Sequence, residues 1–237
     1  MIVRKLQQVR DRITAACMAA GRPPDCVRLL AVSKTFPAAA VLEAVADGQR
    51  AFGENYIAEG VEKIREVAEW QTSHPEVLAG RPEWHCIGPV QSNKTRLVAE
   101  NFDWVQSVDR LKIAQRLNEQ RPAGLAPLQV CIQVNIDAGV NKSGVTPEEA
   151  LELASAIEKL PNLVLRGLMV IPEPATDFVA ACALCANAKA LFDHINASAG
   201  LKTPMDTLSM GMTADVEAAI HSGSTMVRVG SAIFGQR

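Results

Sequence analysis

The chain has 237 residues, 48% hydrophobic and 21% charged, which suits one large α/β core and is close to the length of about 250 residues typical of an eight-stranded barrel. A formal net charge of −2 and an aromatic content of 4% give neither the basic footprint nor the stacking platforms of a nucleic-acid binder. No apolar run approaches the roughly 18 residues of a membrane span, and Met1 to Thr14 mixes charged with apolar residues without a signal-peptide core, so no membrane partner and a cytoplasmic location are expected.

Leu6, Val9, Ile13 and Cys17 recur at helical spacing with Arg4, Lys5, Arg10 and Arg12 between them, predicting an amphipathic helix over residues 2–20 that Arg22-Pro23-Pro24 stops. Leu29-Leu30-Ala31-Val32 is a continuous apolar run of the kind that forms a parallel strand buried on both faces, and Lys34 follows it. Pro37 opens a second helix ending near Gly48. The unit recurs: apolar runs near 50–53, 84–87, 103–106, 128–135, 163–170, 206–208 and 226–229 bring the predicted strands to eight. Helical patterns over 55–69, 91–100, 109–120, 147–160, 176–198 and 213–221 separate most of them. Thr146-Pro147-Glu148-Glu149 combines a capping box with proline at the first helical position. Asp215 and Glu217 fall in the first turns of the helix after Thr213, where the helix dipole favours acids. Residues 71–82, with Pro75, Gly80 and Pro82, read as the longest loop. Alternating strands and helices predict a parallel sheet, and eight such units favour a single closed (β/α)8 barrel of TIM type with an extra N-terminal helix, one domain over 1–237.

The six cysteines show no spacing of a secreted disulfide framework. Cys86 and Cys131 lie in strand-like runs and read as small buried hydrophobes. Cys182 and Cys185 form a CxxC pair on an Ala-rich helical segment with no second pair, so two helix-face residues are the simpler reading and no metal is expected.

In such a barrel the chemistry sits at the C-terminal ends of the strands. Two features stand out on that rim. Ser209-Met210-Gly211-Met212 and Val229-Gly230-Ser231 follow the last two predicted strands, where barrels often bind phosphate through closely approaching backbone N–H groups; ordinary turn glycines are the alternative. Lys34 ends a fully apolar strand. It is either a solvated surface group or an amine whose charged form is disfavoured by burial and which can attack an aldehyde. A lysine beside a phosphate cradle is the minimal kit for pyridoxal 5′-phosphate.

The motifs carry a resemblance from about residue 27 to the end. LLAVSKTFP (29–37), FGENYIAE (52–59), WHCIGPVQSNK (84–94), SVDR (107–110), VNKSG (140–144), LRGLMVIP (165–172), LSMGMTADVEAAI (208–220) and GSTMVRVGSAIFGQR (223–237) resemble, in order, the YggS/PROSC family of pyridoxal phosphate homeostasis proteins, themselves similar to the barrel domain of alanine racemases. The resemblance implies that Lys34 is the Schiff-base lysine and that Ser209, Met210, Gly211, Gly230 and Ser231 surround the phosphate. It also implies that Asn55 and His85 lie near the ring and that Arg228 faces the pyridine nitrogen. Other readings stand beside these: His85 as a satisfied core histidine, Asn55 as a helix cap, and Arg228 as an inward residue paired with a carboxylate. Ser231 replaces the family's usual threonine, Cys86 an aromatic and Phe36 a basic residue, and none of these removes an expected ligand.

Two roles follow from the resemblance: a protein that holds and passes on the cofactor, with PLP-dependent apo-enzymes as recipients, or a PLP-dependent racemase-like enzyme. A phosphate-binding barrel enzyme without a Schiff base is a third. Racemisation needs acid/base groups on both faces of the substrate. In alanine racemases the second is a tyrosine of an additional β domain, whereas the one tyrosine here, Tyr56, reads as a packing or ring-edge contact and the sequence ends after the eighth barrel unit. An arginine at the pyridine nitrogen also weakens the electron sink. The expectation is therefore a carrier rather than an enzyme.

Overall fold

Each apolar run forms a short strand, and each strand pairs in parallel with the next. The computed structural model describes residues 1–75, 80–137, 139 and 143–236. Its strands are β1 (Arg28–Val32), β2 (Ala51–Glu54), β3 (Glu83–Cys86), β4 (Trp104–Val108), β5 (Leu128–Val134), β6 (Leu163–Val170), β7 (Thr207–Ser209) and β8 (Met226–Val229). They close in chain order, with β8 pairing β1 in the register Leu30 to Arg228. The expected (β/α)8 barrel of TIM type is the fold.

The helices are α1 (Ile2–Ala19), α2 (Ala38–Ala46), α3 (Ile57–Ser73), α4 (Thr95–Asn101), α5 (Leu111–Gln120), α6 (Pro147–Ile157), α7 (Phe178–Ser198), α8 (Val216–His221) and α9 (Ser231–Phe234). α6 starts as its sequence dictates: Thr146 Oγ1 accepts from Glu149 N, and Glu149 Oε2 accepts from Thr146 N. α3 runs beyond the expected 55–69 to Ser73, with the hydroxyls of Thr72 and Ser73 donating back to the carbonyls of Ala68 and Glu69, so the long loop begins later than residue 71. α8 starts three residues later than expected, with Asp215 at its N-cap and its carboxylate accepting from Met212 N instead of from the helix. α9 has only four residues, and the extra helix α1 supplies the missing cover. α1 packs against α2, α8 and α9 through Leu6, Val9, Ile13, Ala16 and Cys17.

α7 is the one described helix long and apolar enough, by length and composition, to cross a membrane. Seven of its fifteen apolar residues are alanine, and Cys185, Ala188, Phe192 and Ile195 form a stripe buried against the protein. Cys185 belongs to that stripe, where burial pushes its thiol up to about 12, and Cys182 points toward the Ala218 carbonyl.

Strand residues alternate between two environments. One set, including Phe52, Trp84, Val105, Val130 and Leu208, joins the helices in a continuous apolar layer. The other set faces the barrel axis. There the apolar contacts are small groups, Leu30 with Ala51 and Met226, and Trp104 with Cys131 and Met169. The remaining interior is polar and buried: His85, Gln106, Gln133, Thr207, Ser209 and Arg228. Closure brings β6 and β7 so near that a Cβ on Gly167 would lie 1.5 Å from the Thr207 carbonyl oxygen. Gly167→Ala is expected to lower stability by about 3 kcal/mol, the upper range for overpacking, seen as a lower urea midpoint with an unchanged slope.

Candidate functional site

At the C-terminal ends of the strands lies a cavity of about 600 Å³. Lys34 and Arg228 are the titratable side chains among its described lining residues, joined by polar Asn55, Thr213, Ser231 and Gln236. Gly230 and Gly235 line it through their backbone, and Val32, Phe36, Ile87, Ile171, Met212 and Ala214 complete the wall.

Lys34 stands where β1 leaves the barrel, and a buried charge network fixes the chain on both sides of it. Glu54, at the end of β2, is fully buried and accepts from Ser33 Oγ at 2.6 Å and Lys63 Nζ at 2.7 Å. Lys63, on α3, also donates to the Ser33 carbonyl at 2.8 Å and to Glu59 Oε1 at 3.1 Å. Glu59 accepts from Thr35 N as well. That bond holds Thr35 at φ +67°, a left-handed conformation that costs a non-glycine residue about 1–2 kcal/mol. Burial pushes the Glu54 carboxyl above the usual range while Lys63 and Ser33 pull it back. The network thus aims Lys34 into the cavity from a strained, braced turn.

Two loops form the opposite wall. After β7, Gly211 takes φ +97°, and a Cβ there would meet Ala219 Cβ at 2.6 Å. Arg12 of α1 grips this loop, donating to the Thr213 carbonyl at 2.8 Å and to both carboxylate oxygens of Glu217. After β8, Gly230 sits so close to β1 that a Cβ would lie 3.0 Å from the Val32 carbonyl oxygen. Thr213 Oγ1 and Ser231 Oγ lie 3.4 Å apart where the loops meet.

Arg228 forms part of the floor. It is 4% exposed, donates from Nη1 to Ser209 Oγ at 2.7 Å and from Nη2 to the Val170 carbonyl at 2.8 Å. Burial pushes its guanidinium down to about 10, with Asp215 opposing. No carboxylate contacts Arg228 in these bonds, unlike the paired-arginine alternative. Asn55 lines the cavity with its Oδ1 buried and unpartnered; Tyr56 is the N-cap of α3, without a side-chain cap bond. Gly88 passes so close that a Cβ would lie 2.1 Å from the Asn55 carbonyl oxygen, which fixes Asn55 from behind.

Of the sequence-predicted residues, Lys34, Asn55, Arg228, Gly230 and Ser231 share the cavity. Ser209, Met210 and Gly211 lie behind the wall formed by Met212, Thr213 and Ala214. His85 lies deeper in the barrel, outside the lining, fully buried and stacked on Trp104 at 4.9 Å. Its ring nitrogens meet Glu83 Oε1 at 2.6 Å and Gln106 Nε2 at 2.9 Å, and burial lowers its pKa. Thr213 also lines the cavity: it directly follows the glycine loop and stands before α8 instead of opening it. Ile87, Ile171 and Gln236 carry no local signal. Val140, Asn141 and Lys142 of the VNKSG segment lie outside the described residues.

A parallel barrel with a lysine at the end of β1 and paired loops after β7 and β8 defines a class, and the sequence comparisons agree: the alanine racemase N-terminal domain family matches residues 5–237. The chain belongs to the pyridoxal phosphate homeostasis protein family within it. The Escherichia coli K12 protein of that name is 53% identical over 239 residues, covering 100% of this chain and 97% of that one. The Synechococcus elongatus PipY structure with PLP bound has a TM-score of 0.83 at 32% identity, covering 99% of this chain and 100% of that one. A Clostridium difficile alanine racemase shares the fold, with a TM-score of 0.66 at 18% identity, and this chain spans 53% of it.

Two outcomes follow from the charge networks. Lys63→Met strands the buried Glu54 carboxylate and is expected to cost about 3 kcal/mol in urea unfolding, with much of it recovered in Lys63→Met/Glu54→Leu. Burial alone would raise Glu83, but the His85 N–H and the Arg28 charge outweigh it and hold the carboxyl down to about 2. A lowered carboxyl contributes stability above its ordinary value of 4.5 that is lost as pH falls through about 2, so the stability gap between wild type and Glu83→Gln should shrink across that window.

Proposed function

We propose that this protein binds pyridoxal 5′-phosphate as a Schiff base on Lys34 and serves intracellular PLP homeostasis by holding the cofactor and passing it to PLP-dependent apo-enzymes. The observation that carries this reading is the single cavity in which Lys34 faces the Met212–Ala214 and Gly230–Ser231 loops.

The residues present fit the group. The unpartnered Asn55 Oδ1 awaits a donor, and the crowding of Gly230 against Val32 leaves backbone rather than side chain to meet an anion. When bound, PLP supplies an aldehyde for imine formation and an electron-withdrawing ring. The Lys34 amine, held by its braced turn, would hold that aldehyde. Thr213, Gly230 and Ser231 bind the phosphate, while Ser209, Met210 and Gly211 set the loop that carries Thr213. Asn55 orients the ring edge. Arg228 would present a fixed cation to the ring nitrogen and disfavour protonation there. His85 acts from beneath Arg228.

The lining also supports carrying over turnover. Apart from Lys34 and Arg228, none of the described lining residues titrates, and the exposed Tyr56 is not among them. A proton removed from one face therefore has no evident donor opposite. Purified protein given PLP is expected to show visible absorption that borohydride abolishes, with the reduced adduct mapping to Lys34 and the band absent in Lys34→Ala. A protein that stays colourless overturns the reading; proton exchange at the α-carbon across an amino-acid panel overturns the carrier role.

A further inference from the structure

From the cavity floor a chain of hydrogen bonds runs down the barrel interior. Arg228 Nη1 donates to Ser209 Oγ at 2.7 Å, and Ser209 Oγ donates to Gln106 Oε1 at 2.7 Å. Gln106 Nε2 meets His85 Nδ1 at 2.9 Å, and His85 Nε2 meets Glu83 Oε1 at 2.6 Å. Arg28, at the start of β1, closes the chain on Glu83 at 2.8 Å. Ser209, Gln106 and His85 are all fully buried.

The polarity of the chain follows from its ends. A guanidinium has only donors and a carboxylate only acceptors. Glu83 therefore requires a hydrogen on His85 Nε2, and burial keeps the ring neutral, leaving Nδ1 to accept from Gln106. Gln106 must then turn its oxygen toward Ser209, where it takes the hydroxyl hydrogen and leaves the Ser209 lone pairs for Arg228. The second Gln106 hydrogen points at Met226 Sδ, 3.1 Å away. Reversing Gln106 would set its amide hydrogens against Ser209, which then has no acceptor for its own hydrogen. Every link from Arg228 to Glu83 thus donates in one direction, from cation to anion, and Arg28 donates to Glu83 from the other side.

We infer that Ser209, Gln106, His85 and Glu83 are positioning residues: through this one-way chain they hold the Arg228 guanidinium in the orientation it presents to the cofactor ring. The inference rests on the proposed PLP site. It also gives His85 a role that needs no contact with the ring. The nearest link, Ser209, sits behind the phosphate wall, so the chain ties the ring end of the cavity to the opposite mouth of the barrel.

The test uses the full chain, with Gln106→Met, which conserves bulk but cuts the chain, and Glu83→Gln, at its far end. Absorbance titration with PLP is expected to show affinity falling about tenfold in Gln106→Met, equivalent to about 1.4 kcal/mol. A shifted absorption maximum of the bound cofactor should accompany it. Glu83→Gln should move the same maximum in the same direction, and the 15N resonances of His85 should report Nε2–H in wild type and a mixed tautomer in Glu83→Gln. Affinity for inorganic phosphate should be unchanged in Glu83→Gln, whose substitution lies at the opposite mouth of the barrel from the phosphate loops. If Gln106→Met fails to fold, Glu83→Gln, whose carboxylate is partly exposed, decides the matter alone. Unchanged PLP affinity and absorption maximum in the folded variants, or Nδ1–H in wild-type His85, overturns the inference. Failure of wild type to take up PLP overturns the proposed function instead.

Discussion

Closing eight parallel strands into a barrel is the constraint from which the rest of this structure follows. Closure removes every sheet edge and fixes which strand ends become neighbours, so the ends of β1 and β8, far apart in sequence, share one rim. It also splits each strand into residues that face the helices and residues that face the axis. The first set can be apolar throughout. The second must fill a narrow interior, and here it does so largely with polar groups that satisfy one another.

That choice has a consequence for rigidity. Buried polar groups are costly when unpaired, so a satisfied network specifies its geometry more sharply than apolar packing of equal volume. Two hydrogen-bonded polar networks flank the cavity, the first of which leaves Glu54 Oε2 without a partner. One, Ser33 with Glu54, Lys63 and Glu59, lies between β1 and α3 and braces the turn around Lys34. The other descends from Arg228 along the axis. Between them Lys34 and Arg228 are held on the adjacent strands β1 and β8, and the loop gripped by Arg12 helps to complete the enclosure. α1 thus does more than cover the thin α9, because it carries the arginine that steadies the β7–α8 loop.

The elements legible in the sequence are those whose cause is local. Continuous apolar runs mark strands buried on both faces, and the Thr146 capping box marks the start of α6. Lys34, Gly230 and Ser231 were legible because strand ends in a barrel define a rim. The longer end of α3 and the late start of α8 were not, since each depends on how polar side chains at a helix end bond: Thr72 and Ser73 donate back to carbonyls, and Asp215 accepts from Met212 N instead of from the helix. His85 shows the limit most clearly. Alternation with Trp84 and Cys86 says that it faces away from the helices, but says nothing of its depth, which the register of β3 against β2 and β4 decides.

By itself the sequence determined the alternating strand and helix pattern, the eightfold repeat that favours closure, and the placement of a lysine and two glycine loops at strand ends. Its motifs also carried the family. Tertiary structure alone decided that Thr213 rather than Ser209 reaches the cavity wall, that Asn55 leaves a buried acceptor open, and that Lys63 and Glu54 meet beneath Lys34. The reason is physical: strand periodicity is written in neighbouring residues, whereas the partner of a buried polar group is fixed by barrel register, which joins residues as far apart as Gln106 and Ser209.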